Sequence, residues 1–194
     1  ARAQAELGII PQAAAVEITR QAQANSLDYD QLRTGTNLVG YPILPLVRQL
    51  AARCAGEAGR YVHWGATTQD IMDTGNVLQL RAALTLIEGE IARLISLLAK
   101  LARTHRDTVM AGRTHGQHAL PITFGFKVAV WIDELQRHTE RLQQCRPRLL
   151  RCSFNGAAGT LASLGEQGWA VHQALATALD LAPATIAWHS ARDG

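Results

Sequence analysis

Aromatic and charged residues are both scarce in this chain of 194 residues. Tryptophan, tyrosine and phenylalanine make up 5% of the sequence, so few rings are available to stack on nucleic-acid bases, even though the formal net charge is +3. Charged residues amount to 18%, below the roughly 25% of an ordinary soluble domain. Composition therefore disfavours nucleic-acid binding and predicts a surface that partly faces other subunits, as in an oligomer.

Long apolar runs and cysteine pairs are also missing. The most apolar stretch, residues 91–101, is interrupted by Arg93, Ser96 and Lys100 and is shorter than the roughly 18 residues of a membrane span. The three cysteines are odd in number and lack CxxC spacing, which indicates reduced thiols. No segment resembles a cleavable signal peptide. We therefore predict a cytoplasmic protein without membrane association.

Apolar residues at alternating spacings of three and four dominate the middle of the chain. One series runs over Val77–Leu101 and a second over Phe124–Leu149. Such a heptad pattern predicts two long helices, the first over about 70–106 and on the order of 55 Å long. Pro147 should kink or end the second helix, because proline lacks the amide donor.

Shorter helical patterns lie on both sides of these two series. They cover residues 11–24, 42–55 and, after a glycine-rich turn, 161–175. No segment shows the regular alternation of a strand. We therefore predict an all-α fold, a long antiparallel helical bundle. Residues 1–66 are assigned to part of an N-terminal helical domain and residues 67–194 to part of a central long-helix bundle domain. Because the chain starts within a helical pattern and stops in a polar stretch, we expect a fragment of a longer chain.

A polar segment, residues 61–70, lies directly before the first long helix. Thr67 or Thr68 is a suitable N-cap, and the free amides of a helix start, the threonine hydroxyls and the Gln69 carboxamide form a donor-rich pocket for a carboxylate or phosphate. His63 lies in the same segment. The alternative is purely structural: threonine and Asp70 only cap the helix, and His63 is a turn residue.

A second polar segment, Gly112–Pro121, connects the two long helices. A simple connection would not need two histidines, an arginine, a threonine and a glutamine. Histidine exchanges protons near neutral pH, so His115, which precedes Gly116, is the leading candidate for acid–base catalysis. The segment is predicted to be functional.

A metal site is the alternative for the same histidines. His115 and His118 are three residues apart, and His63 could join them. No Glu-x-x-His pair or facing carboxylates accompany them, so we predict that no metal is bound. The other histidines lack a surrounding constellation, and His138 falls in the second heptad series as an expected core or interface residue: His105, His138, His172 and His189.

A third polar segment covers residues 154–160 and is rich in glycine and alanine. Small residues let backbone amides surround a negative group, but the spacing of nucleotide-binding loops and a preceding strand are both missing. A plain helix C-cap and turn is the alternative interpretation.

Taken together, these segments resemble the aspartase/fumarase superfamily. Residues 65–74 resemble its first conserved region, and residues 112–125 resemble its second. Within the superfamily, residues 60–70 are most similar to the bacterial 3-carboxy-cis,cis-muconate cycloisomerases. The string His115-Gly116-Gln117 is instead typical of adenylosuccinate lyases, in which the histidine is a general acid. The superfamily's serine-bearing Gly-Ser-Ser-x-x-Met-Pro-x-Lys-x-Asn loop does not occur in this sequence.

The resemblance implies a homotetramer that adds or eliminates across a carbon–carbon bond next to a carboxylate of a small dicarboxylate or tricarboxylate, without cofactors. It implies catalysis by His115, helped by His63, with sites assembled from three subunits. The implied substrate-binding residues are Thr67, Thr68, Gln69, Thr114, Gln117, Gly159, Thr160 and Arg192. This chain alone is expected to be inactive. The alternatives are an adenylosuccinate lyase-like enzyme that breaks C–N bonds and a non-catalytic helical oligomerisation module.

Overall fold

The computed structural model describes residues 1–187. The α-helices of this part are α1 (Arg2–Glu6), α2 (Gln12–Gln21), α3 (Tyr29–Val39), α4 (Ile43–Arg53), α5 (Thr68–Thr104), α6 (Phe124–Leu149) and α7 (Gly168–Ala178). The strands are β1 (Val109–Thr114), β2 (Gln117–Thr123), β3 (Arg151–Cys152) and β4 (Ala182–Pro183). Short 3-10 turns lie at Ala24–Ser26, Gly56–Tyr61 and Ala162–Gln167.

The all-α fold class is confirmed by the predominance of helices. Helix α5 begins at residue 68 and ends at 104, where the heptad pattern predicts about 70 and about 106. Helix α6 coincides with the second heptad series and ends two residues beyond Pro147. The heptad spacing locates both helices because only one face of each is continuously apolar.

The expectation that the chain contains no strand is wrong in two places: β3 and β4 form a short parallel pair, and a longer pair lies in the connection between α5 and α6. Here β1 pairs antiparallel with β2, and Thr114 stands opposite Gln117. The two residues between them, His115 and Gly116, have φ angles of 48° and 76°. Positive φ at both positions is the geometry of a tight type I′ hairpin turn.

The hairpin gives no strand signal in the sequence because its strands do not alternate regularly. Its register shifts between Ala111 and Arg113, where β2 carries one extra residue. Gly112 lies in this irregularity, and a Cβ there would stand 2.7 Å from the backbone oxygen of Leu120. Both strands are largely exposed, so no apolar face marks them in the sequence.

Helix α3 is not among the helices predicted from apolar spacing, although both of its ends carry recognisable signals. The Asp28 side chain accepts a hydrogen bond from the Gln31 amide at 2.9 Å, as an N-cap residue does. Gly40 has a φ of 84° and ends the helix in the left-handed conformation. None of the residues of α3 is buried, so this helix contributes no residue to the core.

The chain forms two compact units. The first contains Ala1–Leu78 and the chain from Leu150 onward, and the second contains Gln79–Leu149. The first unit has a continuous apolar core, formed by Val77, Cys152, Phe154, Leu161, Leu164, Val171, Ala176 and Leu181. The boundary assigned to residue 66 concerns the domains of the complete protein and stays a prediction.

In the second unit, α6 begins directly against the end of α5. The Gly125 amide donates to the His105 oxygen at 2.9 Å, and a Cβ at Gly125 would lie 2.6 Å from the Ala102 oxygen. Only glycine allows this approach. Farther along, the Arg146 guanidinium bonds Glu88 at 3.1 Å and ties the two helices together.

Apolar residues of the α5 heptad series are half exposed in the single chain: Leu80, Ile87 and Leu94 are 43%, 48% and 43% exposed. A heptad series is a packing surface, so this exposure agrees with the expectation of an oligomer. Within residues 1–187, no helix is both long enough and apolar enough to cross a membrane.

Candidate active site

The start of α5 is organised by a buried carboxylate. Asp70 is 1% exposed and accepts a hydrogen bond from the Thr67 amide at 3.0 Å. Thr67 directly precedes the first residue of the helix, and Asp70 is the third residue, so this contact is the acidic half of a capping box. It holds the two threonines, Thr67 and Thr68, at the helix entrance.

The same carboxylate reaches the third polar segment. Its Oδ1 accepts from the Asn155 amide at 2.8 Å, and its Oδ2 accepts from the Gly156 amide at 3.0 Å. The structure thus brings the first and third polar segments together within one unit, around the side chain of Asp70. The capping contact of Asp70 agrees with the structural alternative given for this segment, whereas the bonds to Asn155 and Gly156 leave no signal in the sequence.

A second junction lies one helical turn along α5. The Thr74 hydroxyl donates to the Ser153 oxygen at 2.8 Å and accepts from the Ser153 amide at 3.0 Å. Both residues are buried. Asp70 and Thr74 are four residues apart and so lie on one face of the helix. This face fixes the course of residues 153–156.

Several backbone amides of the glycine-rich turn are used inside the protein. Besides the Gly156 amide, the Gly159 amide donates to the Gly156 oxygen at 3.3 Å, and the Leu161 amide donates to the Asn155 oxygen at 3.1 Å. Thr160 is exposed. The substrate-binding roles of Gly159 and Thr160 stay predictions, and the exposed hydroxyl of Thr160 is the better placed of the two for an external ligand.

Gln69, the third predicted donor of the first segment, is half buried. Its amide nitrogen donates to the Asp73 carboxylate at 2.6 Å. This contact orients the carboxamide along α5. A ligand at Gln69 would meet a side chain that already has a partner. The role of Gln69 in ligand binding stays a prediction.

His63 lies in a strained turn close to the same corner. Its φ is 65°, in the left-handed region that side chains other than glycine seldom adopt, and Gly65 follows with 71°. Burial lowers the pKa of His63 below its ordinary value of 6.5, and the nearby negative charge of Asp70 opposes the shift in part. A lowered pKa makes the neutral ring the dominant form at pH 7, suited to accepting or relaying a proton.

The lowered pKa of His63 leads to a pH prediction. The folded protein binds the His63 proton less tightly than the unfolded chain does. The neutral ring therefore contributes to the free energy of unfolding above pH 6.5, and this contribution is lost as the pH falls through the lowered pKa of the folded state. We expect NMR of the His63 ring to give a titration midpoint below 6.5, with the signal assigned by its loss in His63→Gln. A midpoint at or above 6.5 contradicts the shift.

His115 is exposed at the tip of the hairpin, in the second unit. It forms no hydrogen bond or ion pair with another residue of the described range, whereas its neighbour His118 is 3.2 Å from the Arg113 guanidinium. Thr114 and Gln117 flank the turn and are also exposed. The side chains of the turn are therefore accessible to a binding partner from outside this unit.

The predicted site residues fall into two groups. His63, the residues of the α5 entrance and the glycine-rich turn belong to the first unit, and the hairpin residues belong to the second. Arg192 lies outside the described residues, as do the neighbouring residues 188–194. In the range 1–187, no cluster of three or more His, Cys, Asp or Glu side chains has the geometry to hold a metal ion.

The described residues thus form a mostly helical chain with polar turns at the ends of its long helices. The chain belongs to the lyase family of the aspartase/fumarase superfamily, because the family model described as "Lyase" matches residues 1–191. This result confirms the resemblance found in the conserved regions.

Individual relatives support the same assignment. The crystal structure of fumarate lyase from Mesorhizobium sp. BNC1 is 58% identical, with a TM-score of 0.95, over 99% of this chain and 45% of that one. Trans-aconitate decarboxylase 1 from Mycosarcoma maydis is 48% identical over 98% of this chain and 38% of its own length. The 3-carboxy-cis,cis-muconate cycloisomerase of Pseudomonas aeruginosa is 47% identical over 100% of this chain and 43% of its own length. The chain thus spans less than half the length of each.

Proposed function

We propose that the full-length protein carrying this chain is a lyase or cycloisomerase that acts next to a carboxylate, on a substrate like that of 3-carboxy-cis,cis-muconate cycloisomerase. The observation that carries the proposal is the corner around Asp70, whose carboxylate joins the backbone amide of Thr67 at the helix entrance to the amides of Asn155 and Gly156. Such a corner can receive an anionic group.

The chemistry explains why donors are needed there. Removing a proton from the carbon next to a carboxylate moves negative charge onto that carboxylate, and the charge must be met by hydrogen-bond donors already in position. Loss of one such donor typically costs roughly 3 kcal/mol of transition-state stabilisation. In the proposal, the hydroxyls of Thr67, Thr68 and Thr160 and the side chains of Thr114 and Gln117 supply these donors.

His115 is the proposed general acid, which protonates the leaving oxygen or nitrogen, and His63 assists it. Exposure at the hairpin tip suits a residue that completes a site formed with other subunits. The proposed assembly is a homotetramer, and the half-exposed apolar residues of the α5 heptad series support association of subunits. The proposed location is the cytoplasm. Proton transfer and charge stabilisation suffice for this reaction, so it requires no metal or organic cofactor.

The names of two relatives support an unsaturated tricarboxylate as the substrate class. Trans-aconitate and 3-carboxy-cis,cis-muconate are both tricarboxylates in which at least two carboxylates are attached to carbon–carbon double bonds. The second candidate is an adenylosuccinate lyase-like enzyme, which is favoured by the string His115-Gly116-Gln117. A third possibility, a non-catalytic oligomerisation module, requires that the polar turns bind nothing.

A ligand screen separates these functions. We expect a muconate or aconitate tricarboxylate to raise the melting temperature of the full-length protein and to be turned over, because a ligand that binds only the native state stabilises it. The 194-residue chain alone is the control and should show no turnover. Preferential turnover of adenylosuccinate would favour the second candidate, and the absence of any shift or turnover with fumarate, muconates, aconitate and adenylosuccinate would favour the module.

A further inference from the structure

We infer that Asp70 is the positioning residue of the proposed site, the side chain that holds the Thr67–Thr68 hydroxyls and the 155–160 turn in one fixed arrangement. The inference rests on the proposed function for its chemistry and on the hydrogen bonds of Asp70 for its geometry. No role of this kind follows from the resemblance to the superfamily.

The contacts of Asp70 exceed what a helix cap needs. A capping box requires only the bond from the Thr67 amide at 3.0 Å. The two further bonds come from Asn155 and Gly156, which are 85 and 86 residues away in the chain. A carboxylate that joins such distant backbone segments sets the distance between them.

The 63–69 segment and the 155–160 turn have little freedom to move away from Asp70. Asn155 is 3% exposed, and its side chain bonds the Ser153 hydroxyl at 3.3 Å. A Cβ at Gly156 would lie 3.5 Å from the Gly65 oxygen, so the turn that contains His63 packs against the same point. A displacement of the carboxylate would therefore disturb the 63–69 segment and the 155–160 turn together.

The arrangement also determines which donors a substrate can use. The amides of Thr67, Asn155 and Gly156 are committed to the Asp70 oxygens, so they are not the groups that receive an external carboxylate. The hydroxyl groups of Thr67, Thr68 and Thr160 are left for this task. Asp70 thus acts on the substrate through these hydroxyls, without touching it.

The test uses Asp70→Asn in the full-length protein. Asparagine keeps the size of the side chain but turns an NH2 group toward at least one backbone N–H. Val77→Ala is the matched control, because Val77 is a buried residue of the same helix, 7% exposed, and has no polar side-chain atom. Both variants are studied where they remain folded. Each is measured at the same number of degrees below its own melting temperature.

Two readouts distinguish positioning from general destabilisation. We expect Asp70→Asn to speed amide hydrogen exchange at Asn155 and Gly156 by about tenfold, as for loss of a hydrogen bond to a charged group. We also expect it to raise KM for the tricarboxylate by about tenfold, since the hydroxyls that bind it are displaced. Val77→Ala should leave both values near those of the wild type.

An Asp70→Asn protein with wild-type exchange at these amides overturns the inference. A KM that changes no more than in Val77→Ala overturns it as well, because Asp70 is then only a structural cap. Failure of the proposed function has a different signature, in which the wild-type protein turns over no carboxylate of the screen. In that case the exchange measurement alone decides whether Asp70 fixes the two segments.

Discussion

Replacing His115 by alanine in the full-length protein is expected to lower kcat by about two decades or more while leaving the oligomer and its melting temperature nearly unchanged. General acid–base catalysis by a positioned side chain usually contributes a factor of this size. The stability should change little because His115 is exposed at the hairpin tip and forms no hydrogen bond within residues 1–187.

The left-handed backbone of His115 calls for a second variant. Its φ of 48° is one that asparagine tolerates better than alanine does. His115→Asn therefore keeps the type I′ turn and removes only the proton-transfer group. We expect the same loss of kcat in both variants, measured by steady-state kinetics with gel filtration to check assembly. Wild-type turnover in His115→Asn would exclude His115 as the general acid.

His118→Ala is the control for the metal alternative. His118 is exposed on the same hairpin but lies against the Arg113 guanidinium. A shared metal site would make both histidines essential and activity sensitive to a chelator. The proton-transfer mechanism predicts that His118→Ala keeps most of the activity, and equal losses in the two variants, reversed by added metal, would refute it.

Replacing His172 by alanine is expected to lower the free energy of unfolding by about 4 kcal/mol, the largest stability effect that we predict. His172 is 0% exposed, its Nδ1 lies 2.7 Å from the Phe154 oxygen, and its Nε2 accepts from the Ala184 amide at 2.9 Å. Because an amide can only donate, the ring must carry its proton on Nδ1. Alanine leaves a buried oxygen and a buried N–H without partners and creates a cavity.

His172→Phe separates these two causes. Phenylalanine keeps most of the volume and the stacking on Trp169, whose ring centroid is 4.9 Å away. It removes both hydrogen bonds, so we expect about 2 to 3 kcal/mol from the unsatisfied backbone groups alone. Urea unfolding of the variants beside wild type measures the difference. A loss below about 1 kcal/mol in His172→Ala would mean that the site relaxes and that the two bonds contribute little.

His172 illustrates what a sequence cannot reveal. The sequence shows no constellation around His172, yet the residue joins α7 to the Phe154 backbone and to Ala184. Its partners are backbone atoms, which leave no pattern in side-chain spacing. The clue that it is buried is the apolar periodicity around it in α7, which does not distinguish a hydrogen-bonded core histidine from an exposed one.

The exposed hairpin shows the opposite limitation. The residue types in 112–121 predict a functional segment, since a plain connection needs no such polar residues, but they give no sign of the strands. A type I′ turn is most easily recognised from Asn-Gly or Asp-Gly. Here His115 takes the first position, so the turn signal is weakened by the residue that the proposed chemistry requires.

The order of residues alone determined the long helices, the superfamily and the candidates His63, Thr67 and His115, because heptad spacing and short conserved strings are local properties of a chain. Only the folded structure decided that Asp70 gathers the helix entrance and the glycine-rich turn, and that His172 is a core residue. Both depend on backbone groups brought together from distant parts of the chain, whose hydrogen bonds are satisfied only after folding and are encoded in no single segment.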